Sequence, residues 1–137
     1  MIYNNLKMDE KEFEKISSDI LGVFRKEYNN LFNYLNLIVT DSKLSIYNKE
    51  NDNKGYLIEV AFIHIGTEKL AMILNVEFMY LEEGIRVTTY IMYLPVFDVI
   101  DDMISKIKIA NNSFKNNKEL LGNLDYILFK ENNVSVS

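Results

Sequence analysis

Three consecutive stretches read YLIEVAFIHI (residues 56–65), KLAMILNVEFMYL (residues 69–81) and IRVTTYIMYL (residues 85–94). Each stretch is rich in β-branched and aromatic residues and is bounded by glycine, charged residues or proline, which is typical of β-strands. Because the connections between them are short, we predict one antiparallel meander. Alternate side chains of a strand point to opposite faces, and only one alternating set of the middle stretch is wholly apolar. We predict that this set faces the core: Leu70, Met72, Leu74, Val76, Phe78 and Tyr80.

The two connections predict how the strands pair. A two-residue turn at Glu83-Gly84 would use a glycine where a positive φ is required and would place Val87 opposite Tyr80. A three-residue loop at residues 66–68 would place Ile63 opposite Ala71. Both pairings keep the apolar sets on one face, whereas a one-residue slip would scatter them.

The second face of the predicted sheet mixes acidic, amide, aromatic and thioether side chains. Tyrosine and methionine are favoured in the centres of protein interfaces, so one interpretation is a partner-binding surface. The other interpretation is a solvated antiparallel face that carries scattered apolar residues. The candidate protein-binding residues are Glu59, Asn75, Glu77, Met79, Tyr90 and Met92. With the predicted pairing, Glu59, Asn75 and Met92 share one row across the sheet, and Leu57, Glu77 and Tyr90 share the next.

Helical periodicity flanks the meander on both sides. A helix is predicted from Asp9 to Asn36. At its start, Asp9 and Glu12 have the spacing of a helix-capping pair. Along its length, apolar residues recur at three- and four-residue steps. A second helix is predicted over Val96–Asn111. Leu37–Tyr47 is a weaker strand candidate. Asn111–Asn117 is expected to be a loop, followed by one helical turn that Gly122 ends. Leu124–Phe129 (LDYILF) is dense in strand-forming residues and predicts a fifth strand.

The elements together predict an α+β fold in the order α-β-β-β-β-α-β. An antiparallel meander of four to five strands would be packed on one face by the long N-terminal helix and by the helix after the sheet. The 137 residues suit a single domain over residues 1–137. Within it we expect residues 1–8 and 130–137 to be flexible.

Amino-acid composition excludes several classes of function. The net charge is −5, and a nucleic-acid binder needs lysine and arginine to neutralise phosphates, so direct nucleic-acid binding is not expected. The longest apolar run without a charge is too short to cross a bilayer, and no signal-peptide pattern is present. There is no cysteine, which fits a reducing compartment. We therefore expect a cytoplasmic protein that does not bind membranes.

The parts of a catalytic site are missing from the sequence. The only histidine, His64, has no cysteine and no nucleophile-elbow serine to accompany it. Glu59 and Glu77 share a face, but acid–base catalysis needs a pocket that raises the pKa of one carboxyl group. No phosphate-binding glycine loop and no zinc-binding helix motif occurs. We expect no enzyme activity, no catalytic residues, no cofactor and no metal.

Two hypotheses of function remain, from different classes. The first is a non-catalytic protein-binding module, such as a small inhibitor or immunity protein, a chaperone-like adaptor or a regulatory subunit. Its partner would have a basic surface, which the acidic field would attract, or would be a second copy of the chain. The alternative is a small-molecule-binding domain with an apolar cavity between sheet and helices. The residues expected to line that cavity are Phe62, His64, Tyr80 and Tyr93.

Overall fold

The computed structural model describes residues 9–48, 54–93 and 101–135, with side chains at 9–46, 54–92 and 103–128. Its elements are α1 (Glu10–Phe32), a short 3-10 helix (Asn33–Leu35), β1 (Leu37–Asn48), β2 (Lys54–His64), β3 (Lys69–Leu81), β4 (Gly84–Tyr93), α2 (Asp101–Asn116) and α3 (Lys118–Ser135). The segment 1–8, the polar turn at 49–53 and the start of the helix predicted from Val96 lie outside the described residues. The α+β class and the single antiparallel sheet are confirmed.

The first helix begins where its capping signal predicts. The Asp9 carboxylate accepts a hydrogen bond of 2.8 Å from the backbone N–H of Lys11, so one of the free donors at the helix start is satisfied. Glu12 has a different role from the reciprocal one expected, because its carboxylate accepts a hydrogen bond from the Tyr126 hydroxyl of α3. The first turn of α1 is therefore joined to α3.

The four strands lie in the order β1-β2-β3-β4 and all neighbours are antiparallel. Leu37–Tyr47, the weaker strand candidate, is part of β1. The predicted pairing of β2 with β3 is confirmed from Gly55 to Phe62, and a bulge then shifts the last pairs, so that Ile63 faces Leu70 rather than Ala71. Asn36 and Glu68 have positive φ angles, 58° and 55°, in the connections that flank the sheet.

The predicted pairing of β3 with β4 is wrong by two residues. The turn residues are Glu82 and Glu83, Leu81 faces Gly84, and Val87 faces Phe78 instead of Tyr80. Gly84 does have a positive φ, 137°, but it is the first strand residue and not a turn residue. Because the error is an even number of residues, each side chain stays on its predicted face.

The core lies between the inner face of the sheet and the helices. Inner-face side chains of the central strands are fully buried: Tyr56, Ile58, Val60, Phe62, Met72, Leu74, Val76 and Phe78. Leu70 was predicted to belong to this set, but it is exposed because the bulge beside it turns it to the other face. Phe24 of α1 packs edge-on against Phe78, with ring centroids 5.9 Å apart, and lies 4.1 Å from the Phe114 ring of α2.

The structure of the C-terminal third of the chain corrects three predictions. The expected loop at Asn111–Asn117 is mostly helix, since α2 runs to Asn116. The predicted fifth strand at Leu124–Phe129 is wrong, because this segment lies inside α3, which also passes through Gly122 and continues to Ser135. Leu120, Leu124 and Ile127 are buried, and their spacing of four and three residues is helical. The element order is therefore α-β-β-β-β-α-α.

Candidate functional site

The outer face of the sheet, opposite the helices, has an apolar end next to the β2–β3 turn. Strand pairing defines three rows there: Ile38–Ile63–Leu70, then Asp41–Ala61–Ile73–Met92, then Lys43–Glu59–Asn75–Tyr90. Directly opposite side chains of an antiparallel pair are about 5 Å apart, so the apolar residues of one row are close neighbours. We call six residues of the first two rows the apolar patch: Ile38, Ala61, Ile63, Leu70, Ile73 and Met92.

The apolar patch is open to solvent. Met92 has 61 % and Ile38 has 38 % of its surface exposed, and Leu70 is exposed to a similar extent. Ala61, Ile63 and Ile73 are half-buried between them. Single exposed apolar residues are normal on a protein surface, but a contiguous group is typical of an interaction site. Tyr90, 51 % exposed, borders the patch in the third row.

The structure divides the six predicted protein-binding residues into two groups. Glu59, Tyr90 and Met92 are exposed and lie in or beside the apolar patch. Asn75 is half-buried, and its buried side-chain oxygen accepts no hydrogen bond from a described residue. Glu77 and Met79 lie further from the patch and are buried, Glu77 being only 4 % exposed.

Sequence reasoning placed Ile63 on the outer face but missed Ile38 and Leu70. The signal for Ile38 was available, because it alternates with Val39, a core residue of its strand. Leu70 gave no such signal. Its predicted face depended on unbroken alternation through β3, and a bulge, which inserts an extra residue into one strand, reverses the face beyond it. The register error also displaced Met92 from Ile73 to Asn75 in the predicted rows.

The four residues of the alternative ligand site are not all accessible. Phe62 is fully buried and packs edge-on against Tyr28 and Phe32, with centroid distances of 5.9 and 5.3 Å. His64 is half-buried, and its buried Nδ1 has no hydrogen-bond partner among described residues. Tyr93 ends β4 opposite Met72, and its side chain lies outside the described ones.

Tyr80 is the most electrostatically perturbed member of this set. Its ring packs edge-on against Tyr56 at 6.0 Å. Burial first, and then the nearby carboxylate of Asp125, raise the pKa of the Tyr80 phenol above its usual value, although the two groups do not meet hydrogen-bond geometry. Both causes penalise the phenolate, so this hydroxyl stays protonated and is unsuited to act as a base.

Two clefts formed by described residues lie elsewhere. They have volumes of about 340 and 330 Å³. One runs along α1 beside Phe13, Ser17 and Arg25. The other separates β4 from α2 and is lined by Ile85, Val87, Asn111 and Lys115 among others. Neither cleft includes Phe62, His64 or Tyr80.

Comparisons with protein-family models, with curated proteins and with solved structures found no match to this chain. Among the described residues, no group of three or more histidine, aspartate or glutamate side chains is arranged to hold a metal ion. The described helices are each too short or too polar to cross a membrane.

Proposed function

We propose that this chain is a non-catalytic, cytoplasmic protein-binding module that binds its partner through the apolar patch. One observation carries the proposal: the exposed side chains of Ile38, Leu70 and Met92 and the half-buried apolar residues between them lie on one face of the sheet. Burying such a surface contributes roughly 25 cal/mol for each Å² of apolar area removed from water. Tyr90 at its border supplies an aromatic side chain of the kind that anchors interfaces.

The partner that fits this site is a protein with an apolar protrusion surrounded by basic residues. Two exposed carboxylates, Asp41 and Glu59, lie in the rows that cross the patch, against one exposed ammonium group, Lys43. The whole chain carries 20 acidic and 15 basic residues. A field of this sign accelerates the approach of a basic surface more than it strengthens the final complex. An inhibitor or immunity protein, an adaptor and a regulatory subunit all fit this description.

Ile38→Asp tests the site, with Val23→Asp as its matched control. Ile38 in the patch and Val23 on α1 are equally exposed, 38 % and 39 %, so both variants add one carboxylate to a solvated β-branched position. Each form is immobilised to capture proteins from a lysate of the source cells, and the captured protein is then purified and its affinity measured. We expect Ile38→Asp to weaken binding at least tenfold, because it would bury a charge in an apolar contact, and Val23→Asp to leave it unchanged.

The basic character of the partner has its own readout. Glu59→Gln should slow association with the purified partner and reduce the dependence of that rate on salt, with little change in dissociation. Equal affinity of wild type and Ile38→Asp would remove the patch as the site. A partner whose association rate is independent of salt would remove the electrostatic part of the proposal.

A further inference from the structure

The last strand, β4, is an edge strand of the sheet that the described residues form. It pairs with β3 on one side without a bulge over all ten residues, and no described strand lies on its other side. Natural edge strands are normally protected by lysine, proline, bulges or inward charges. Residues 84–93 contain none of these and carry one charge, Arg86. Alternate backbone groups of β4 therefore face away from the sheet, available to a further strand.

The opposite edge, β1, is protected in several ways. A bulge interrupts its pairing between Val39 and Asp41. The N–H of Val39 donates to the Asn29 side chain of α1 at 2.8 Å, and the N–H of Ser42 donates to the Asp41 carboxylate at 2.8 Å. Asp41 and Lys43 are exposed. Pairing of β4 with β1 of another copy would build an open filament, and these features oppose it, whereas pairing of β4 with β4 closes at two copies.

A cleft separates part of β4 from the end of α2. The Thr89 hydroxyl donates to the Asn111 side-chain oxygen at 2.8 Å, which holds α2 above the inner side of β4. Next to this contact lies the 330 Å³ cleft lined by Ile85, Val87 and Lys115. Ile104, two helical turns before Asn111 and so on the same side of α2, is an exposed apolar residue.

The sequence of β4 is self-complementary about Thr89. An antiparallel register centred on Thr89 pairs each of residues 85–93 of one copy with a residue of the same range in the second copy. A two-fold axis through this point keeps inner side chains on the inner face of both copies. The cross-strand pairs are then Val87–Ile91, Thr88–Tyr90, Thr89–Thr89 and Arg86–Met92. These are β-branched, aromatic and threonine pairs of the kind that stabilise antiparallel sheets, and no like charges face each other.

We propose that two copies of this chain pair through their β4 edges, centred on Thr89, into one continuous eight-stranded antiparallel sheet. The helices of both copies lie on one side of this sheet. Both apolar patches lie on the other, each with Ile38 on the strand farthest from the junction. The dimer thus goes beyond the proposed function, since it presents the partner-binding surface twice.

Two variants of one exposed residue test the pairing. In the dimer Met92 faces Arg86 of the second copy, so Met92→Arg places two arginines opposite each other at both symmetric positions, whereas Met92→Glu places a carboxylate opposite each arginine. Sedimentation velocity of the full chain measures the dimer dissociation constant. We expect wild type to have twice the 16.1 kDa of one chain, Met92→Arg to dissociate at least tenfold more readily, and Met92→Glu to be as tight as wild type or tighter. Arg86→Glu combined with Met92→Arg should restore the dimer.

Two results would overturn the proposal: a wild-type chain that stays monomeric at its highest soluble concentration, or a dimer that responds equally to the arginine and glutamate variants. Either result is independent of the partner-binding test, because Ile38 lies on β1 at the far edge of the sheet. If Ile38→Asp loses partner binding but stays dimeric, or keeps partner binding but becomes monomeric, the two surfaces are distinct.

Discussion

Two buried tyrosine hydroxyl groups in the same core have opposite effects on stability. The Tyr56 hydroxyl donates to the backbone carbonyl of Leu124, which joins β2 to α3. The Tyr28 hydroxyl is equally buried and has no hydrogen-bond partner among the described residues, while its ring packs against Phe32 and Phe62. A buried polar group without a partner costs about 1–3 kcal/mol, whereas a bonded one stabilises by about 1 kcal/mol.

The same substitution should therefore act in opposite directions at these two sites. We expect Tyr28→Phe to leave the free energy of unfolding unchanged or to raise it by about 1 kcal/mol, because the ring contacts stay and an unpaired hydroxyl is removed. Tyr56→Phe should lower it by about 1–2 kcal/mol, since the Leu124 carbonyl loses its donor in a buried place. Urea denaturation of both variants measures the difference. Equal losses would mean that the Tyr28 hydroxyl is bonded in solution.

The pH dependence of stability gives this pair of variants a second readout. Burial first, and then the neighbouring Glu27 carboxylate, raise the pKa of Tyr28 above its ordinary value of 10.0. The phenol stays neutral in the folded protein but ionises at its ordinary pKa in the unfolded chain. The ionisation of this phenol therefore does not change the free energy of unfolding below pH 10. Above pH 10 it lowers the free energy of unfolding by about 1.4 kcal/mol per pH unit. Tyr28→Phe should flatten the decline of stability above pH 10.

At the scale of the elements, a substitution of Gly122 tests whether its segment is a helix. Gly122 lies inside this helix, and a Cβ added there would meet nothing within 4 Å. Gly122→Ala should therefore raise the free energy of unfolding by about 0.5–1 kcal/mol, because alanine loses less backbone entropy than glycine in a helix. Gly55→Ala in β2 is the contrasting variant. A Cβ there would lie 2.3 Å from the Phe78 carbonyl oxygen, and we expect a loss of about 1–3 kcal/mol from overpacking. Thermal denaturation ranks the two, and destabilisation by Gly122→Ala would contradict the assignment of α3.

The meander was predictable because its signals agree with one another. Strand composition, alternation and short connections all indicate β2, β3 and β4, and Asp9 marks the start of α1. In Leu124–Phe129 two signals disagree. The β-forming residues Tyr126, Ile127 and Phe129 favour a strand, while the spacing of Leu120, Leu124 and Ile127 is helical, and burial of the helical stripe decides the outcome. The apolar patch was only partly predictable, because the bulge that exposes Leu70 depends on pairing between strands that are separate in the sequence.

At the scale of the molecule, one aromatic cluster joins the helical layer to the sheet. Phe24 contacts Phe78 of β3 and Phe114 of α2, with centroid distances of 5.9 and 4.1 Å. Tyr28 contacts Phe62 of β2 and also Phe114, at 5.9 and 5.8 Å. The aromatic side chains of α1 thus contact both the sheet and α2. A structure connected in this way should unfold as one cooperative unit.

Phe114→Ala tests this cooperativity at the centre of the cluster. Phe114 is fully buried and touches both α1 aromatics, so its removal should cost about 3–5 kcal/mol. Ile109→Ala on the exposed side of α2 is the control, and we expect it to change stability by less than about 0.5 kcal/mol. Urea denaturation followed by far-ultraviolet circular dichroism and by tyrosine fluorescence should give coincident single transitions for wild type and for both variants. Two separated transitions in Phe114→Ala, with helix lost before the tyrosine signal, would mean that α2 folds onto a sheet that is already stable without it.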